Sequence, residues 1–135
     1  MYDRREFLKT SAVAASVLAL GTGSNAVAAA GAAYPGVVFT KDNPGKWAEK
    51  VASHAPVVTV DGGKISVETK HGMSEKHYIV RHTLVLADGT YVGAKTFTPT
   101  DKPVSAYELP AGYTGKVYAT SFCNLHDFWL TEVEV

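Results

Sequence analysis

Downstream of residue 56 the apolar residues fall at alternate positions in short runs, and most runs end in turn-forming residues. Val57–Val60 is closed by Asp61-Gly62-Gly63, a hairpin signal because glycine takes the positive φ that tight turns demand. Lys64–Thr69 alternates, with Ile65 and Val67 on one face. His77–Ala87 is the longest run and stops at Asp88-Gly89, and Tyr91–Phe97 returns from it. Val104–Leu109 is bounded by Pro103 and Pro110. Lys116–Phe122 sets Val117, Ala119 and Ser121 against Tyr118 and Thr120, and Trp129–Val135 alternates to the C-terminus. A period of two is the mark of strands with one buried face. No sustained 3.6-residue apolar period follows Ala30. Only Lys46–Val51 reads as a turn of helix, and residues 31–46, with Gly31, Pro35, Gly36, Pro44 and Gly45, read as an irregular lead-in. Seven or so strands in about 105 residues predict an all-β domain, a β-sandwich of immunoglobulin-like size, without internal repeat or interdomain linker.

The first thirty residues carry a different pattern. Asp3-Arg4-Arg5-Glu6-Phe7-Leu8-Lys9 precedes a weakly apolar stretch from Ser11 to Leu20, and small residues continue through Ala30. A charged start, a short apolar run and an A-x-A end form a secretory signal. The paired arginines resemble a twin-arginine signal, with Asp3 where Ser or Thr is usual. The apolar run is too short and too rich in Ala and Gly for a membrane span, which needs about 20 apolar residues. The expected division is a twin-arginine signal peptide over 1–30, cleaved between Ala28 and Ala30, and a functional domain over 31–135. That route exports proteins already folded, often with a cofactor in place. It places the mature domain in the periplasm with no membrane attachment after cleavage.

Composition narrows the chemistry. Hydrophobic residues are 46% of the chain and charged residues 19%, which suits a packed core and excludes disorder, collagen and coiled coil. Of thirteen basic and thirteen acidic residues, Arg4, Arg5 and Lys9 and Asp3 and Glu6 belong to the signal, leaving ten basic and eleven acidic. A near-neutral domain is no broad nucleic-acid surface. The single cysteine allows no intrachain disulfide, no four-cysteine iron and no common iron–sulfur cluster. In an oxidising compartment a lone thiol is a liability unless it is buried or bound to a metal.

Five histidines accompany that cysteine. His54 precedes Ala55-Pro56 and the first strand. His71 and His77 bracket H-G-M-S-E-K-H, and Cys123 and His126 lie in C-N-L-H-D-F-W between two strands. All five positions are predicted ends of elements, where a rigid sandwich can gather them at one pole. His82, five residues from His77, points to the opposite strand face with Tyr78, Val80, Leu84 and Leu86 and belongs to the core. Met73 reads as packing and Ser74-Glu75-Lys76 as a solvated loop. Such residues are found singly on many surfaces; together, behind an export signal, they point to a mononuclear metal site.

H-G-M-S-E-K-H-Y-I and C-N-L-H-D-F-W resemble the ligand motifs of the superoxide reductases, the desulfoferrodoxin and neelaredoxin family. A-S-H-A-P-V-V resembles the family's first histidine motif, the likeness runs from about Trp47 to the end, and it implies an immunoglobulin-like seven-stranded β-sandwich or barrel, in agreement with the strand count. The chain lacks the four extra cysteines of members with a second, rubredoxin-like iron, so it resembles the one-iron type. The resemblance implies a mononuclear non-haem iron, Fe2+ or Fe3+, with equatorial imidazoles from His54, His71, His77 and His126 and an axial thiolate from Cys123. It implies one-electron reduction of superoxide to hydrogen peroxide at the position opposite the thiolate. The electron would come from an external donor such as a rubredoxin-like or cytochrome carrier, and a homo-oligomer is compatible with it. Backbone amides after Cys123 would tune the sulfur, and Trp129 would shield the site or pack beneath it.

Two positions depart from that family. Its first histidine follows Glu-Lys, where the lysine attracts superoxide and helps deliver a proton; here Ala52 and Ser53 stand there, and Glu49 and Lys50 come earlier. Lys50 is the first candidate for the missing cation and Lys76 the second, with Lys70 also in reach of a ligand. Asp127 stands where the family has Gly, tolerable at a positive φ but adding a negative charge near an anionic substrate. Two rivals compete with the reductase. One is a cupredoxin-like copper carrier, which takes two His, one Cys and an axial Met that does not follow His126 here. The other is a non-catalytic iron-binding or bare β-sandwich module.

Overall fold

A computed structural model describes residues 34–135; the expected signal peptide over 1–30 lies outside the described residues. The alternating runs pair into two sheets. β1 (Val38–Phe39), β4 (Ile79–Leu86), β5 (Tyr91–Thr96), β7 (Lys116–Cys123) and β8 (Asp127–Glu134) form one, in the order β1-β8-β7-β4-β5. β2 (Val57–Asp61), β3 (Lys64–Glu68) and β6 (Val104–Glu108) form the other, in the order β2-β3-β6. All pairings are antiparallel except β1 with β8. Two glycine-containing turns fall as predicted: Gly62 adopts φ 56° between the paired Asp61 and Lys64, and Gly89 adopts φ 87° between β4 and β5.

The inward faces meet as the alternation requires. Ile65 and Val67 of β3, Leu84 and Leu86 of β4, and Val117 and Ala119 of β7 are buried in one cluster. Ile79, Phe97 and Cys123 form a second, smaller cluster with Met73 against it, at the end of the sandwich where β4 begins and β7 finishes. His82 is fully buried between the sheets. Its Nδ1 lies 2.9 Å from Ser105 Oγ of β6 and its Nε2 2.8 Å from Thr69 Oγ1, which in turn meets Ser121 Oγ of β7 at 2.8 Å. The ring is thus a hydrogen-bonded core residue joining both sheets.

Three local expectations are corrected. The described residues hold eight strands, not seven, because two residues of the expected lead-in, Val38 and Phe39, lie parallel along β8 and bury the Phe39 ring against Trp129. β4 starts at Ile79, so His77 is in the preceding loop. A bulge leaves Val80 without a partner on β7, since Ile79 pairs with Cys123 and Arg81 with Phe122. The extra residue resets the alternation, so Ile79, not Val80, joins His82, Leu84 and Leu86 in the interior. The helical turn is also longer than predicted, a 3₁₀ segment Gly45–Lys50 continuing into α1 (Val51–His54). No helix among the described residues is long and apolar enough to cross a membrane.

Candidate metal centre

Each of the five predicted donors closes or opens an element at the same end of the sandwich. His54 is the last residue of α1, His71 follows β3, His77 precedes β4, Cys123 ends β7 and His126 precedes β8. His71 arrives from the three-stranded sheet and Cys123 from the five-stranded one, so the site straddles both. One ligand atom from each of the five residues lies within 4.8 Å of every other.

The nitrogens are ordered as a ring. His54 Nε2 is 3.0 Å from His126 Nδ1, His126 Nδ1 is 2.9 Å from His77 Nε2, and His77 Nε2 is 3.0 Å from His71 Nε2. His54 and His77 occupy opposite corners, with centroids 5.8 Å apart and planes only 24° from parallel. The neighbouring rings His54–His71 and His54–His126 cross at 85° and 87°. Metal–imidazole bonds of roughly 2.1 Å in a square set adjacent nitrogens about 3 Å apart, as found here. Cys123 Sγ stands 3.6 Å from His126 Nδ1 and 4.0 Å from His71 Nε2 as the fifth donor.

Hydrogen bonding alone does not account for this convergence. A neutral imidazole has one N–H. His54 Nδ1 faces the acceptor-only carbonyl of Lys50 at 3.2 Å and Ser53 Oγ at 2.8 Å, while that hydroxyl donates to the same carbonyl. The His54 proton is therefore on Nδ1, and Nε2 turns a lone pair toward the other rings. Burial, followed by the neighbouring imidazoles, lowers the His54 pKa to about 4. Burial also lowers those of His71 and His126. Neutral rings with converging lone pairs are what a cation requires. Burial pushes the Cys123 thiol up, while the amides of Leu125 and His126 donate to its sulfur and pull it down. Four imidazoles in a square with one thiolate suit iron. They do not match tetrahedral zinc or the two-histidine trigonal copper site.

The support around the donors includes residues that sequence reasoning missed. Asn124 bridges two ligand loops: its Oδ1 accepts from the Tyr78 amide at 3.0 Å and its Nδ2 donates to the Lys76 carbonyl at 3.0 Å. An Asn directly after a ligand in a tight turn was its only signal. Ser53, at the place of the family's lysine, supports His54 instead. Trp47 meets His126 in a T-shaped contact, with centroids 4.7 Å apart and planes at 86°. Trp129, fully buried, lies beneath the site, 6.0 Å from the His54 ring. Met73 packs on the Cys123 cluster, its sulfur accepting from the Ile79 amide at 3.3 Å.

The charged candidates separate. Lys50 is partly buried at the start of the helical turn, four residues before His54, and its charge contributes to lowering the His126 pKa. Lys76 and Lys70 are exposed. Asp127 has φ 65°, the conformation its place required, and its carboxylate accepts from Trp47 Nε1 at 3.0 Å and pairs with Lys46 Nζ at 3.1 Å. The Trp47 bond, more than burial opposes it, holds the Asp127 pKa below the usual carboxylate range.

The chain is similar to known proteins in sequence and in fold. The Desulfoferrodoxin family model matches residues 46–132. A desulfoferrodoxin from Nitratidesulfovibrio vulgaris is 41% identical over 83 residues, covering 58% of this chain and 61% of that protein. A superoxide reductase from Pyrococcus abyssi is 30% identical over 108 residues, covering 67% of this chain and 92% of that one. This chain thus spans about three fifths of the first relative and most of the second. In fold it is similar to the superoxide reductase (neelaredoxin) of Ignicoccus hospitalis, with a TM-score of 0.68 at 24% identity over 76% of this chain and 96% of that one. The mononuclear non-haem iron of such proteins is a group that the five donors fit. On the match over most of its described length, the chain belongs to the desulfoferrodoxin family.

Proposed function

We propose that the protein is a periplasmic superoxide reductase, with His54, His71, His77, His126 and Cys123 holding one non-haem iron. The observation that carries this reading is the convergence of five donor atoms within 4.8 Å from five separate element ends. With iron bound, the site would supply one electron to superoxide, which with two protons becomes hydrogen peroxide. The chain's own groups do the rest. The four imidazoles turn ring nitrogens toward one another, with His54 fixed in its tautomer by the Lys50 carbonyl. The thiolate of Cys123 is the strongest electron donor of the set, restrained by the two amides that face it. The Lys50 ammonium supplies positive potential over the His126 side of the site and draws in the monoanion. Lys76 is the secondary candidate for that role. An external carrier, rubredoxin-like or a cytochrome, returns the electron. The twin-arginine signal delivers the folded, loaded protein across the membrane.

The test is to load the purified protein with iron, reduce it and mix it with superoxide. One oxidation per iron with peroxide and no oxygen as product is expected. Release of oxygen would make it a dismutase, and no reaction would leave an iron-binding module.

A further inference from the structure

We propose that Asp127 is a positioning residue for the metal centre: its carboxylate clasps Trp47, and Trp47 holds both the His126 ring and the segment bearing Lys50 and His54 in register. The inference rests on the reading of the five donors as ligands. It concerns how two of them are kept in place, which the donor set itself does not specify.

Three observations converge on this residue. Asp127 is one of two non-glycine residues with positive φ among the described residues, the other being Tyr34. An L-residue is held there only when its surroundings favour it. The turn from Cys123 to Asp127 aims the Asp127 carboxylate at the 3₁₀ segment, where Oδ2 accepts the Trp47 indole N–H at 3.0 Å. The same indole makes a T-shaped contact with His126, the residue preceding Asp127 in the chain, at 4.7 Å between centroids. Trp47 is thereby fixed at two points on the β7–β8 turn, one polar and one aromatic.

What Trp47 carries follows from chain connectivity. It lies within Gly45–Lys50, which runs directly into Val51–His54. Neither helical segment has a side-chain cap at its start, and the 3₁₀ segment has no buried residue. So short a helix is not stable by itself and must be docked by tertiary contacts. The Trp47 contacts dock its front end, and His54, buried, docks its rear. Lys46 adds a third contact, its ammonium 3.1 Å from Asp127 Oδ2 and 4.8 Å above the Trp47 ring. With side chains 63% and 45% exposed, that ion pair is screened by solvent and is the weaker part of the clasp. Its effect is to offset the carboxylate's charge beside a site that takes an anion. The carboxylate's hydrogen bond and ion pair go to Trp47 and Lys46, so Asp127 positions the donors through the indole.

The full-length protein, metal-free and iron-loaded, is compared with Asp127→Gly, Asp127→Asn and Trp47→Phe. Amide hydrogen exchange is read over residues 46–54 and, as an internal control, over β4 and β7. Asp127→Gly suits the positive φ but has no acceptor; Trp47→Phe keeps a ring against His126 but has no donor. Each is expected to speed exchange over 46–54 about 10-fold or more with β4 and β7 unchanged, and to lower iron affinity severalfold. Asp127→Asn retains an acceptor for the indole and restores most of the protection and the iron affinity. If one of the first two variants fails to keep β4 and β7 protected, the other decides. Native exchange over 46–54 without the clasp, or no rescue by Asn, overturns the proposal. Exchange needs no superoxide, so this inference and the reductase reading fail on different measurements.

Discussion

The indole N–H of Trp129 donates to the backbone carbonyl of His126 at 2.9 Å. The largest fully buried side chain in the domain is thus bonded directly to a donor residue of the metal centre. Trp129→Phe would remove that donor and leave a gap beside Phe39 and His54. An unpaired carbonyl plus a partly collapsed cavity should destabilise the fold by about 2–4 kcal/mol. Denaturant unfolding of the metal-free protein measures this. A loss below about 1 kcal/mol would show that His126 finds another donor.

His82 supplies a pH dependence independent of the metal. Its folded pKa is lowered to about 4, first by burial and then by the charge of Lys95. The unfolded chain takes up the proton near pH 6.5, the folded protein only near 4. The folded state is therefore favoured above pH 6.5, and that contribution is lost as pH falls toward 4. It amounts to about 3 kcal/mol. His82→Asn should bind iron with an unchanged spectrum but show a shallower fall in stability across that window than the native protein. Loss of iron in this variant would place His82 in the metal site after all.

Cys123→Ser separates the sulfur from the imidazole square. The four nitrogens should retain some iron, while the thiolate-to-iron absorption band disappears. Metal content and the visible spectrum report the two effects separately. A band that survives the substitution would assign the fifth donor to another group.

The proposed twin-arginine export carries its own prediction. Replacing Arg4 and Arg5 together with lysine should strand the precursor in the cytoplasm, still folded and metal-loaded, as read by fractionation and metal analysis. Continued export of folded protein would assign another route.

What the sequence made legible follows from which interactions are local. Alternation placed Ile65, Val67, Leu84, Leu86, Val117 and Ala119 inside, because strand parity is a short-range property. It failed at Ile79 and Val80, where a single bulge, set by pairing with β7, shifts the face. The lead-in strand Val38–Phe39 was invisible because two residues carry no period and take their structure from β8. The five donors were found through residue type and position at element ends. Their supports were not: Asn124 reaches back 46 residues to Tyr78, and Trp47 bonds Asp127 across 80. Contacts of that separation leave no pattern in a single sequence.

In the stretch before His54 a helical turn sets Lys50 four residues ahead of His54 and so on the same side of that turn. Ser53, next to the ligand, has its hydroxyl committed to the Lys50 carbonyl and the His54 ring. The Lys50 ammonium is felt by His126, whereas Lys76 and Lys70 are exposed. A monoanion is drawn in by a cation within a Debye length, about 8 Å at physiological salt, and the attraction weakens as salt rises. Lys50→Ala should therefore slow the association of superoxide with the reduced iron about 3- to 10-fold at low salt and flatten its dependence on ionic strength. Lys76→Ala and Lys70→Ala should stay within about twofold of the native rate. Association rates at low and high salt for the three variants settle the ranking. If Lys50→Ala keeps the native rate and slope, the Ala52-Ser53 replacement is not compensated by this lysine, and attraction falls to the centre's own positive charge.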